Sequence, residues 1–277
     1  MRGEFLDLSG ARLYYYAAGT RGAGEPVVFL HGFPTSSHLW GDVVPLVPAG
    51  HRIVVLDLLG YGRSDRPLDR PVGLRGHADR AVELLDELRI DKACLVGHGI
   101  GGGIAQSLTV RHPERVSRLC LVDSIAFEGW PPFGARLAGA SLPLTRFFPP
   151  AFFLSVLHRG LARGYGDRSR AARSIDLYLR PFAGTDGRDA LVAHIRALAT
   201  GDPAPPANEL AGVTAPTAIV WGEYDRVVPP TIGRKLHAAI PGATLTILSE
   251  AKHFAPEEAP RQVADVIGEL LARNDKS

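Results

Sequence analysis

The residues that could do chemistry sit where apolar runs give out. Ala93-Cys94-Leu95-Val96 breaks into Gly97-His98-Gly99-Ile100-Gly101-Gly102-Gly103, and a helical pattern through Ile104, Ala105 and Leu108 follows. Strand, tight turn and helix in that order are the context of a nucleophile elbow, which presents its central side chain on a sharp turn at a strand end. Gly97 and Gly101 stand where such a turn needs small residues, but the central position carries Gly99 where Ser, Asp or Cys would act. Four further candidates occupy comparable positions. His31-Gly32 follows Pro26–Leu30, Asp123 follows Val116–Val122, Asp225 lies in Gly222-Glu223-Tyr224-Asp225, and His253 lies in Lys252-His253-Phe254. The chain order is nucleophile position, acid, histidine. These are the residue types of nucleophilic catalysis with general acid–base assistance, with the nucleophile itself absent.

The elements that would hold these residues alternate. Continuous apolar runs at Val27–Leu30, Ile53–Leu56, Ala93–Val96, Val116–Val122 and Thr217–Gly222 suit parallel strands covered on both faces. Helical patterns separate them, through Leu39–Leu46, Leu74–Leu88, Ile104–Thr109 and Thr231–Ile240, and Pro260–Ala272 closes the chain after a strand at Ala243–Leu248. Strands and helices at this spacing imply βαβ units and a mostly parallel sheet, whose catalytic groups gather at the carboxyl ends of the strands. Glu4–Ala17 reads as an antiparallel edge hairpin turning at Ser9-Gly10. After Asp123-Ser124 the rhythm changes. Residues 125–208 are aromatic-rich and broken by prolines, with helical pieces at Ala151–Leu161, Arg168–Leu179 and Asp189–Ala199, and read as a helical cap inserted into a core of residues 1–124 and 209–277.

Composition narrows the partners. The chain has 277 residues, 45% hydrophobic and 22% charged, with a net charge of +2, which is ordinary for a globular protein and gives no argument for nucleic acid or an anionic membrane surface. Arginines greatly outnumber lysines but are scattered, as on solvated faces. Cys94 and Cys120 fall inside strand runs and read as buried free thiols; no C-x-x-C pair suggests a metal. The N-terminus has no signal-peptide pattern and no run is long enough to span a membrane, so a cytoplasmic monomer or homodimer acting on a small molecule, without metal or cofactor, is expected.

Over nearly its whole length the sequence resembles the α/β-hydrolase-fold superfamily. The resemblance rests on His31-Gly32-Phe33-Pro34, Gly60-Tyr61-Gly62-Arg63-Ser64, Gly97-His98-x-x-Gly101-Gly102, Gly222-x-x-Asp225 and His253-Phe254, in that order. It implies an α/β-hydrolase fold, a mostly parallel central sheet flanked by helices, with a helical cap. It implies His253 as general base, Asp225 orienting its ring, and the backbone amides of Phe33 and Ile100 as an oxyanion hole. The peptide before Pro34 is often cis in this motif. The elbow looks closer to epoxide hydrolases and dehalogenases with an Asp nucleophile than to serine esterases. Ile100 stands where halide-binding members usually carry Trp. Tyr165 and Tyr178 could then protonate an epoxide oxygen, and His31, His98, Asp123 and Trp130 are further candidate substrate contacts. The plainer alternatives are backbone hydrogen bonding for His31 and His98, a helper or cap role for Asp123, and ordinary packing for the tyrosines.

Gly99 has no side chain with which to attack, although glycine enters the positive-φ turn of an elbow without penalty. Loss of the nucleophile from a triad costs roughly six orders of magnitude in turnover, with residual catalysis from the oxyanion hole and binding. Three readings stay open. One is an engineered chain whose nucleophile was removed. Another is a natural catalyst in which His253–Asp225 works without a covalent intermediate, as a hydrolase, lyase, decarboxylase or cofactor-free oxygenase on a small apolar ester, epoxide, halide or activated carbonyl. The last is a noncatalytic receptor or interaction protein.

Overall fold

The computed structural model describes residues 3–19, 24–127, 150–200 and 203–273. Trp130, a candidate substrate contact, lies outside the described residues.

Eight strands form one sheet in the order β1-β2-β4-β3-β5-β6-β7-β8. β1 (Glu4–Leu8) and β2 (Ala11–Ala18) are the edge hairpin, and β2 runs antiparallel to β4. From there β4 (Ile53–Leu56), β3 (Val27–Leu30), β5 (Ala93–His98), β6 (Val116–Val122), β7 (Thr217–Gly222) and β8 (Thr244–Leu248) are all parallel. β3 to β7 are buried along their whole described length apart from Ser117, as continuous apolar runs require when helices cover both faces. Cys94 and Cys120 are buried on the neighbouring strands β5 and β6 as free thiols, and burial pushes the Cys120 thiol up to about 12.

The covering helices are α1 (Leu74–Glu87), α2 (Ile100–Arg111), and, after β7, α7 (Pro230–Ala239) and α9 (Pro260–Leu271). Between β6 and β7 lie α3 (Pro150–Ala162), α4 (Arg168–Leu179), α5 (Thr185–Thr200) and the single turn α6 (Ala207–Leu210), and no strand appears there among the described residues. α8 (Ala255–Glu258) is a short turn of helix directly after His253-Phe254.

One expected helix is absent. Leu39–Leu46 forms two 3-10 turns, Ser37–Trp40 and Val44–Leu46. Pro45 removes a backbone donor from the middle of the apolar pattern, so the chain tightens locally instead of propagating an α-helix. The apolar side chains are still buried: Leu39, Trp40 and Val43 have no exposure. Periodicity thus located a buried face but not the helix type.

Candidate active site

The elbow forms at the end of the central strand. β5 ends at His98, Gly99 turns with φ +54° and ψ −119°, and α2 starts at Ile100. The surrounding glycines are demanded by packing. A Cβ on Gly97 would lie 2.4 Å from the Gly101 carbonyl oxygen, one on Gly101 2.2 Å from that of Leu30, and one on Gly102 2.0 Å from Ser124 Oγ. Gly99 is different. A Cβ there would meet only Gly32 Cα at 3.5 Å and His253 Nε2 at 4.0 Å, both ordinary contacts. Only the positive φ favours glycine at 99; the space for a side chain is present.

Asp225 and His253 come from the loops after β7 and β8 and meet across them. His253 Nδ1 donates to Asp225 Oδ2 at 2.8 Å. The other carboxylate oxygen accepts from the amides of Val227 at 2.7 Å and Val228 at 2.9 Å, and both side chains are nearly buried. With Nδ1 donating to a carboxylate, the Nε2 lone pair faces the space above Gly99, the tautomer a general base needs. The His253 loop is pinned on two sides. Its carbonyl accepts from His98 Nε2 at 2.8 Å, and its amide donates to the Gly164 carbonyl, just beyond α3, at 3.1 Å.

The remaining strand-end candidates serve the loops. His31 Nε2 accepts from the Leu58 amide at 3.0 Å and Nδ1 donates to the Gly32 carbonyl at 2.8 Å, which ties the loops after β3 and β4 together. Burial lowers the pKa of both His31 and His98, so each is a neutral ring at neutral pH. A Cβ on Gly32 would come within 2.5 Å of His98 Nδ1, so glycine there lets the Phe33 loop close over the elbow. Asp123 accepts from the Gly222 amide at 2.8 Å and the Ala255 amide at 3.4 Å. It makes no hydrogen bond to His253 in the described structure. Burial first, and then the neighbouring Asp225, raise its pKa well above the carboxylate range. Asp123 therefore holds the ends of β7 and α8, between which the dyad hangs.

Phe33 and Ile100 border the same space, and the Phe33-Pro34 peptide is cis. Ile100 is the first residue of α2, among the four whose N–H groups a helix cannot satisfy internally, so it offers a donor at the positive end of the helix dipole. A cavity of about 420 Å³ opens in front of Gly99, His253, Phe33 and Ile100, walled by Leu157 and Leu161 of α3, Ile195 and Leu198 of α5, and Val227 and Phe254. Leu157/Leu161 and Ile195/Leu198 are spaced i,i+4 and i,i+3. That periodicity was readable in the sequence, but which surface those faces cover was not. Arg163 is a cation at this wall.

The two tyrosines considered as acids for an epoxide oxygen take the plainer role of packing. Tyr178 donates its hydroxyl to Glu257 Oε1, and Tyr165 stacks on Phe254 with ring centroids 4.1 Å apart; neither lines the cavity. They close the seam between α4 and α8 instead, around a Glu257 whose carboxyl burial pushes above its ordinary value. His194, which composition did not single out, comes from α5 to within 4.2 Å of the Tyr61 ring in the Gly60-Tyr61-Gly62 loop. Gly60 makes room for it, since a Cβ there would lie 1.9 Å from His194 Nε2. Among the described residues no cluster of three or more His, Cys, Asp or Glu side chains is arranged to hold a metal, and no helix is long and apolar enough to cross a membrane.

A parallel sheet with an elbow after its central strand, and an acid and a histidine paired on later loops, define one class. The family model described as "alpha/beta hydrolase fold" matches residues 25–260, and the chain belongs to that family as an enzyme of it. It is 30% identical to haloalkane dehalogenase 2 of Mycobacterium bovis, covering 95% of this chain and 93% of that one. It is 29% identical to the 2-hydroxymuconate semialdehyde hydrolase of Pseudomonas sp. strain CF600, covering 94% and 93%. Among solved structures, a hydrolase from Pseudomonas aeruginosa superposes with a TM-score of 0.79 at 25% identity, covering 98% of each chain.

Proposed function

We propose that this enzyme hydrolyses a small, largely apolar ester, lactone or similarly activated carbonyl by direct attack of water, without an acyl-enzyme. The observation that carries the reading is the space at Gly99, large enough for a side chain, next to His253 Nε2 and beside Phe33 and Ile100, whose amides we assign as the oxyanion donors. A water molecule placed there is deprotonated by His253 Nε2 as its oxygen bonds to the carbonyl carbon. Asp225 stabilises the imidazolium. The amides receive the oxyanion, and the apolar walls keep competing water away. When the tetrahedral species collapses, the leaving oxygen takes the proton back from His253, so the dyad ends as it began.

Epoxide opening is less well supported, because its oxygen needs an acid and the hydroxyls of Tyr165 and Tyr178 lie off the cavity. The same open position at Gly99 also fits a chain from which a nucleophile has been removed, with the dyad and the two amides otherwise in place. The test is single turnover of an aryl-ester and lactone panel in ¹⁸O-labelled water. Label in the acid product, no acyl adduct by intact mass, and loss of turnover in His253→Gln support water attack. Turnover indifferent to His253→Gln refutes it, and saturable binding without turnover across the panel assigns a receptor.

A further inference from the structure

A second cavity, of about 500 Å³, shares no lining residue with the apolar one. Its walls are β2, the loops after β3 and β4, and the Leu177–Pro181 stretch at the end of α4. Its charge is one-sided: Arg63, Arg66 and Arg180 line it against a single carboxylate, Asp57. Asp57 is already committed to backbone donors, with Oδ1 accepting from the Ser37 amide at 2.6 Å and Oδ2 from the Arg63 amide at 2.9 Å. The other nearby carboxylate, Asp65, is held by Arg12 at 3.1 Å.

Most of the donors are underused, although Arg63 gives one N–H to the Tyr14 hydroxyl and lies over the Tyr14 ring. Arg66 gives one N–H to the Gly62 carbonyl, while its Nε is buried with no partner. The Arg180 side chain and the Tyr16 hydroxyl make no hydrogen bond among the described residues, and Tyr16 is 8% exposed. Burial lowers the pKa of the Arg66 guanidinium, and burial first, then the charge of Asp57, raises that of the Tyr16 phenol. A buried N–H without an acceptor is unfavourable, and a guanidinium fork matches the paired oxygens of phosphate or carboxylate.

We infer that this cavity is an anion site, at which Arg63, Arg66, Arg180 and the Tyr16 hydroxyl hold the charged oxygens of a small phosphorylated or carboxylated molecule. Its body rests on Leu177 and Pro181. Because Arg180 belongs to the segment between β6 and β7, whereas Arg63, Arg66 and Tyr16 belong to the sheet and its loops, an occupant ties the two together and stabilises the fold by mass action.

The test is thermal unfolding of the full chain with added inorganic phosphate, and separately with succinate, each against sodium chloride of equal ionic strength. At tenfold excess over the dissociation constant, the melting temperature is expected to rise by about 2–3 °C beyond the chloride control. A rise with phosphate alone assigns a phosphoryl group, and a rise with succinate a carboxylate. Arg180→Gln, at an exposed position, is expected to abolish the rise, as is Arg66→Gln. Arg163→Gln, at the other cavity, leaves it intact. If neither anion exceeds chloride, or if Arg180→Gln and Tyr16→Phe both keep the full rise, the inference is overturned.

Discussion

Gly99 offers the sharpest perturbation, because its environment separates backbone strain from packing. In Gly99→Ala the new methyl meets nothing closer than 3.5 Å, so the cost is the conformation alone. An L-residue at φ +54° and ψ −119° costs about 1–3 kcal/mol, and the stiffer unfolded chain returns roughly 0.4–1 kcal/mol. The net loss is about 1–2 kcal/mol, or roughly 2–4 °C in melting temperature for a chain of this size. Gly97→Ala, two residues away, drives a methyl to 2.4 Å from the Gly101 carbonyl at the buried end of β5, and is expected to lose several kcal/mol or fail to fold. Gly99→Ser carries the same strain but sets a hydroxyl one bond beyond a Cβ that lies 4.0 Å from His253 Nε2. It should therefore acquire a nucleophile and trap an acyl group from an activated aryl ester, seen as a burst and as added intact mass. Urea titrations of the two alanine variants and mass spectrometry of the serine variant decide the matter. Equal costs at 97 and 99, or a folded Gly99→Ser that never acylates, would refute this account of the elbow.

Other consequences can be measured in the same way. Asp225→Asn keeps the Val227 and Val228 amide bonds to Oδ1 but places an amide against His253 Nδ1, so turnover should fall about 10³–10⁴-fold with little loss of stability, separable by kinetics and melting. His194 is buried with its pKa pushed down to about 3 from 6.5, so the unfolded chain binds the extra proton and stability is lost as pH falls below 6.5. At about pH 5 that loss is roughly 2 kcal/mol from this ring alone, and His194→Asn should flatten the urea-derived stability between about pH 7 and 5; a parallel decline in both proteins would refute it. Glu257 works with the opposite sign. Its carboxyl is pushed above 4.5 in the fold, so its stabilising protonated form is lost as pH rises through the folded value, and Glu257→Gln should remove that decline. Gly32→Ala should displace the Phe33 amide through the 2.5 Å approach to His98 and lower turnover more than substrate affinity, read as kcat against KM.

Much of this was legible in the sequence. The apolar runs located β3 to β7, and helical spacing marked α4 over the same residues, Arg168–Leu179, that the structure shows. Asp225 and His253 stand 28 residues apart, and it is the resemblance to the α/β-hydrolase-fold superfamily that implies their pairing, which the structure shows as a 2.8 Å contact. Gly99 itself needed no structure to be noticed. What sequence determined, then, is which faces are buried and which residue types end the strands, because periodicity and strand-end position are local properties. Tertiary structure alone decided what each buried face meets. Tyr178 on α4 turned to Glu257 and not to the apolar cavity, His194 on α5 came to rest on Tyr61, and Arg63, Arg66 and Arg180 gathered around one cavity from separate parts of the chain. No local pattern carries those pairings, since they depend on how α3 to α5 are set against the sheet. The same holds for the space at Gly99, where the sequence shows only a missing side chain and the structure shows that one would fit.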